Sequence, residues 1–316
     1  MSHTHVHVHA APAVERRLLV AVLVTAAIVL LEASGGLVAH SLALVADAGH
    51  VFADLFALGL TWFALRQARR PADARRTFGY HRVGILTALL NAASLLPISA
   101  LLVYEGIVRL FTPVAVESGV MLGVAAVGLL ANAGLGLTLH NVAGSNLNIR
   151  SAVIHLAGDA AAAGGVVVGA IIIALTGWTP IDPLLTIAIS LMIAVSGWRL
   201  LRDTLRILLE SVPTGISTDD VVRVMRSVPG VQDVHDLHIW SLASGINALS
   251  CHVLIADQSL SSWGGILAAL NHKLDEAFQI GHSTIQPECA DCDPKALYCV
   301  LVPAGEPHVH STQEVA

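Results

Sequence analysis

Apolar residues run almost unbroken through six stretches, about 18–39, 41–66, 82–108, 119–140, 151–176 and 181–202. Each is close to the roughly 20 residues a helix needs to cross the hydrocarbon of a bilayer, so the pattern predicts six transmembrane helices. The first two are separated by almost no loop, which predicts a tight hairpin. Beyond about residue 212 the runs shorten and turn polar. Residues 218–227 read as a short helix with Asp219 and Asp220 in its first turn, closed by Pro229-Gly230. Residues 231–240 and 248–255 alternate like strands about Ser244-Gly245, 261–278 have helical periodicity, and 282–286 read as a last strand. The expected fold is therefore an all-α six-helix membrane domain (16–208) followed by a small α+β domain (209–290). Its αββαβ order is ferredoxin-like, with helices on one face of a sheet. Residues 1–15 and 291–316 read as tails.

Composition agrees. With 55% hydrophobic and only 13% charged residues and a mean hydropathy of +0.71, the chain is too apolar for a soluble domain and reads as a multi-pass membrane protein. A net charge of -6 gives no reason to expect nucleic acid. The basic residues instead sit at the ends of the apolar runs: Arg16 and Arg17, then the loop with Arg66, Arg69, Arg70, Arg75 and Arg76, then Arg199, Arg202 and Arg206. By the positive-inside rule these ends face the cytoplasm, which places both termini and the second domain inside. Cys251, Cys289, Cys292 and Cys299 all fall in that polar part, so metal binding or plain thiols are expected rather than disulfides. The opening segment, with His3, His5, His7 and His9 at alternate positions, reads as a loose metal-collecting arm or a solvated tail. No cleavable signal peptide is visible, since the first apolar run is long enough to span.

Ionisable residues inside such runs are costly and call for a reason. In the second run, Asp47-Ala-Gly-His50-Val-Phe-Ala-Asp54 places three on one helix stripe, and the fifth repeats the pattern in His155-Leu-Ala-Gly-Asp159. A single His or Asp there could cap a helix or bond a neighbour. Two His-x-x-x-Asp pairs in separate runs are hard to explain by packing, and His50, Asp54, His155 and Asp159 together suit a tetrahedral divalent metal, above all zinc. Asp47 reads as a helix cap, a vestibule charge or a second-sphere partner orienting His50. The first run carries Glu32 and Gly35-Gly36, and the glycines suit close helix contact.

The chain resembles the cation diffusion facilitators, most closely their zinc-transporting bacterial members and the zinc transporters of eukaryotic vesicles. The resemblance spans about residues 18–288. It rests on Ser41-Leu-Ala-Leu-Val-Ala-Asp-Ala-Gly-His50 with Asp54, on Arg76-Thr-Phe-Gly-Tyr80, on His155 with Asp159, and on His235-Asp-Leu-His-Ile-Trp240. It implies a homodimer in a lipid bilayer, most simply a bacterial inner membrane, with a zinc site between the second and fifth helices and a metallochaperone-like cytoplasmic domain. Zinc, with cadmium, cobalt or nickel as further candidates, would leave the cytosol in exchange for protons. In the second domain, His235, His238, His252 and Glu288 fall where relatives bind zinc, with His282 nearby. Cys289-Ala-Asp-Cys292 resembles a Cys-x-x-Cys of some vesicular transporters. Where some relatives build a further site after the second span from an Asp and two His, this chain has Asp73, Arg76 and Tyr80, so that site is not expected, and His81 reads as a loop residue.

Two other classes compete. An intramembrane zinc hydrolase would need three ligands, an open position for water and a separate general base, and no His-Glu-x-x-His occurs. A membrane-bound metal sensor without transport would use the same second-domain histidines, but it has no use for ligands in mid-membrane.

Overall fold

The computed structural model describes the backbone of residues 12–143 and 147–289, and side chains over 22–138, 140 and 153–289. The His-rich arm, Cys292 and Cys299 lie outside the described residues. Six helices carry the apolar runs: α1 Pro12–Ala39, α2 Leu42–Ala68, α3 Val83–Phe111, α4 Ser118–Ala143, α5 Leu147–Thr176 and α6 Ile181–Leu208. All are long and apolar enough to cross a membrane. Several overrun the expected bounds, because a helix is propagated by backbone hydrogen bonds that need not stop where the side chains turn polar. At its start, a proline suits the first turn of α1.

Leu30, Trp62, Leu101, Leu130 and Leu175 are between 63% and 81% exposed, whereas Glu32, Asp47, Asn91, Asn132, Asp159 and Asp182 are buried. That inversion is what an apolar solvent selects: large apolar side chains lie on the outside, and polar groups turn inward. Close packing depends on the paired glycines of α1. A β-carbon on Gly35 would meet Val124 of α4 at 2.6 Å, and one on Gly36 would meet Val45 of α2 at 2.8 Å.

The α1–α2 hairpin is as tight as expected. His40 takes the left-handed conformation (φ 53°) just past α1, and the Ser41 hydroxyl then caps α2 by accepting from the Leu44 amide at 3.2 Å. A second cap comes from far along the chain. Asp182, fully buried at the start of α6, accepts from the Ser41 hydroxyl and from the amides of Leu42 (2.9 Å) and Ala43 (3.2 Å). Its negative charge also suits the positive end of the α2 dipole. Asp182→Ala should therefore orphan two buried amides and cost about 2 kcal/mol. Thermal unfolding of the purified protein reads this directly, and an unchanged midpoint would refute the clasp.

The chain divides after Thr204 into two compact units. In the second, α7 Thr218–Arg226, β1 Val231–Ala243, β2 Ile246–Ile255, α8 Leu260–Phe278 and β3 Ile280–Cys289 follow in the expected αββαβ order. The sheet is β1-β2-β3, antiparallel between β1 and β2 and parallel between β2 and β3. Val221 and Met225 of α7 and Leu270 and Leu274 of α8 close a core against Val234, Leu237, Leu249 and Val253. The opposite sheet face is thus left for polar residues.

On β1 the register shifts between His235 and His238, at Asp236, whose φ is +48°. Asp tolerates that conformation better than most residues. The extra residue reverses the alternation, so that His235 opposes His252 and His238 opposes Ser250. Without the bulge, residues three apart would point to opposite faces.

Candidate metal centres

Helical spacing puts His50 and Asp54 one turn apart on α2, and His155 and Asp159 one turn apart on α5. The two pairs meet. His50 Nδ1 lies 3.5 Å from Asp54 Oδ2 and its Nε2 3.5 Å from Asp159 Oδ1. His155 Nε2 lies 3.3 Å from Asp54 Oδ2 and 3.7 Å from Asp159 Oδ2. Zinc bonds of about 2.0–2.1 Å imply about 3.3 Å between adjacent ligand atoms of a tetrahedron, so these gaps suit donors around a shared cation. They are long for direct hydrogen bonds between the four. Buried Asp54 Oδ2 has no hydrogen-bond partner, an open valence of the kind a cation would fill.

Three of the four, His50, Asp54 and Asp159, offer ligand atoms that all lie within 4.8 Å of one another. His155 stands at the rim. Its ring is 74° to that of His50 with centres 6.3 Å apart, and its side chain is 50% exposed, against 7% for Asp159. Asp47 is buried on the same stripe of α2, with Oδ1 unpartnered. It is not the helix cap, because Ser41 fills that role.

In the second unit, His235, His252 and Glu288 come together within 4.8 Å. Glu288 bridges the two histidines, with Oε2 at 2.9 Å from His235 Nε2 and Oε1 at 2.9 Å from His252 Nδ1. His238 does not join this trio. Its Nε2 lies 3.1 Å from Asp236 Oδ1, while Asp236 Oδ2 is 3.7 Å from His252 Nε2, so Asp236 links His238 to the cluster. Sequence reading passed over Asp236, for its role depends on the bulge. His282 sits on β3 six residues before Glu288, about 20 Å away along a strand, and the structure does not bring it to the trio. Cys251, next to His252 in sequence, points into the core, and burial pushes its thiol up to about 12. It stays protonated and is a poor ligand. Cys289 is exposed at the end of β3.

The loop after α2 is closed by its own side chains. The Tyr80 hydroxyl donates to Asp73 Oδ2 at 2.8 Å, and the amides of Arg75 and Arg76 donate to Oδ1 at 2.8 and 2.9 Å. These bonds, that of Tyr80 foremost, hold the Asp73 carboxyl below its usual range. The Arg76 guanidinium lies 4.6 Å over the Tyr80 ring. A cationic side chain thus occupies the place beside Asp73.

Comparisons with known proteins show which family the chain resembles along its length. Residues 18–209 match the family profile described as the cation efflux transmembrane domain, and residues 213–290 match the cation efflux protein cytoplasmic domain. The zinc transporter ZitB of Escherichia coli is 38% identical over 98% of this chain and 100% of its own length. A cadmium, cobalt and zinc/H(+)-K(+) antiporter of Bacillus subtilis is 36% identical, covering 89% of this chain and 91% of its own. The metal cation efflux system protein CzcD of Cupriavidus metallidurans is 38% identical over 88% of each chain.

Proposed function

This chain belongs to the cation efflux family, and from that premise we propose that it exports zinc from the cytoplasm in exchange for protons, through a site built by His50, Asp54, His155 and Asp159. The observation that carries the reading is the meeting of two carboxylates and two imidazoles between α2 and α5 at 3.3–3.7 Å. The names of relatives support zinc, with cadmium and cobalt as further cargo.

Charge explains the exchange. With zinc bound, two carboxylates balance the cation and both imidazoles are neutral, as ligation requires. When zinc leaves, the carboxylates remain where water is scarce, and protons on the imidazoles, whose ordinary pKa is about 6.5, restore the balance. Protons and zinc therefore compete for one set of atoms, and an inward proton gradient drives zinc out while the helices alternate access.

The arginine-rich ends support cytoplasmic termini, and the bacterial relatives support an inner membrane. The match of the second unit to the family's cytoplasmic domain supports a homodimer with a regulatory cation at His235, His252 and Glu288. That cluster alone would also serve a sensor, which has no use for the membrane ligands.

Sealed vesicles containing the pure protein test the reading. An inside-acid gradient should drive zinc into vesicles whose proteins face cytoplasm outward, and a protonophore should stop it. Zinc flux indifferent to the gradient would refute the exchange. In the same vesicles, the His252→Ala, Glu288→Ala double variant should bind less zinc per chain and transport several-fold more slowly, since a cation there stabilises the domain rather than lining a path. Complete loss of flux in a folded double variant would put these ligands on the path.

A further inference from the structure

The four ligands do not exhaust the acidic groups buried in this unit. Glu32 of α1 is fully buried, and neither of its carboxylate oxygens has a hydrogen-bond partner among the described residues. Gly128 of α4 makes room for it, since a β-carbon at that position would overlap Glu32 Oε1. Asp47 of α2 and Asp159 of α5 are close enough for their charges to reach it. At this level α4 offers only Gly128 and the neutral Asn132. No basic side chain within α1 after Arg17 compensates it.

Depth matters as well as burial. The adjoining ends of α1 and α2 are tied by the Ser41 amide to the Gly36 carbonyl at 2.9 Å. From that end, at 1.5 Å per residue, Asp47 lies about 8 Å in, Glu32 about 10 Å, His50 about 12 Å and Asp54 about 18 Å. Under the proposed topology this end faces outward, so Glu32 and Asp47 stand on the exit side of His50 and Asp54.

We infer that Glu32 holds one of the exchanged protons on the exit side of the zinc site. This rests on the proton-exchange reading above. The coupling is Coulombic. Zinc arriving at Asp159 cancels a neighbouring negative charge and favours ionised Glu32, which releases its proton. When zinc departs outward, the restored charge of Asp159 disfavours the Glu32 carboxylate, which then takes a proton from the outer water. The proton moves from outer water to a Glu32 oxygen and later to inner water, and no other bond changes. The Glu32 proton takes the place of one of the two imidazole protons, so that one proton on Glu32 and one on either imidazole balance one zinc ion.

Full-length protein in sealed vesicles, assayed for zinc flux and proton counterflow, tests this. Wild type must first show counterflow, and its absence would sink the exchange reading itself, whatever Glu32 does. With counterflow present, Glu32→Gln should bind zinc up to about tenfold more weakly with a flatter pH dependence, because proton and zinc coupling is reciprocal, lose on the order of tenfold in gradient-driven zinc flux, and carry fewer protons per zinc. Glu32→Asp, still an acid, should restore exchange with a displaced pH profile. Unchanged flux and proton ratio in Glu32→Gln would overturn the assignment. So would a zinc affinity that keeps the pH dependence of wild type while flux falls, which marks a structural role. Should Glu32→Gln fail to fold, an undisplaced pH profile in Glu32→Asp would overturn it equally.

Discussion

Asp159→Ala should abolish zinc transport, the largest effect expected of any single substitution in this chain. Asp159 is the most buried of the four site residues, and its carboxylate lies near both imidazoles, at 3.5 Å from His50 and 3.7 Å from His155. Its removal leaves one carboxylate to balance a divalent cation, so the loaded site carries an uncompensated positive charge in a low-dielectric setting. It also cuts the ligand set to three. Loss of a group that merely orients a ligand costs about 10- to 100-fold in affinity, and loss of a ligand with its charge should cost more. Asp54→Ala should act in the same direction. Equilibrium zinc binding and vesicle uptake should fall together, and normal uptake by folded Asp159→Ala protein would remove this site from the transport path.

The parts of this architecture that were legible in sequence share a physical cause. A bilayer demands about 20 apolar residues per helix, so the six spans are visible as uninterrupted runs, and against that background His50, Asp54, His155 and Asp159 stand out because each is expensive there. Helical periodicity then gives one face per pair without further information. What stayed hidden depends on contacts between distant parts of the chain. The clasp of Asp182 on the start of α2 joins residues 140 positions apart, and nothing local to Asp182 announces it. The space for Glu32 is made by Gly128, on another helix. The bulge at Asp236 is a matter of strand register, and a one-residue slip moves side chains to the other face. Alternation alone therefore separates His235 from His238, whereas the bulge brings both to the face that carries His252. His282 is the converse case, close in sequence to Glu288 but remote along a strand, where residues climb faster than on a helix.

The site's selectivity yields the second large effect. His50 presents Nδ1 to Asp54 and Nε2 to Asp159, both at 3.5 Å, so its imidazole lies between the two carboxylates. His50→Asp replaces a borderline nitrogen donor by a hard oxygen and a long planar ring by a shorter side chain. The cavity widens, and three carboxylates with one imidazole give a loaded site a net negative charge. Both changes work against zinc, which favours imidazole and short bonds of about 2.0 Å, and toward larger or harder ions that tolerate longer bonds and oxygen donors. Some transport should survive, because the carboxylates that balance the cation remain. Proton competition should weaken too, since one of the two imidazoles that take up protons is gone. In paired uptake assays with zinc against cadmium and zinc against manganese, the ratio should shift away from zinc by on the order of tenfold, equivalent to about 1.4 kcal/mol. A variant that remains as zinc-selective as wild type would mean that His50 does not contact the cation during selection, and that His155 with the two aspartates decides which metal passes.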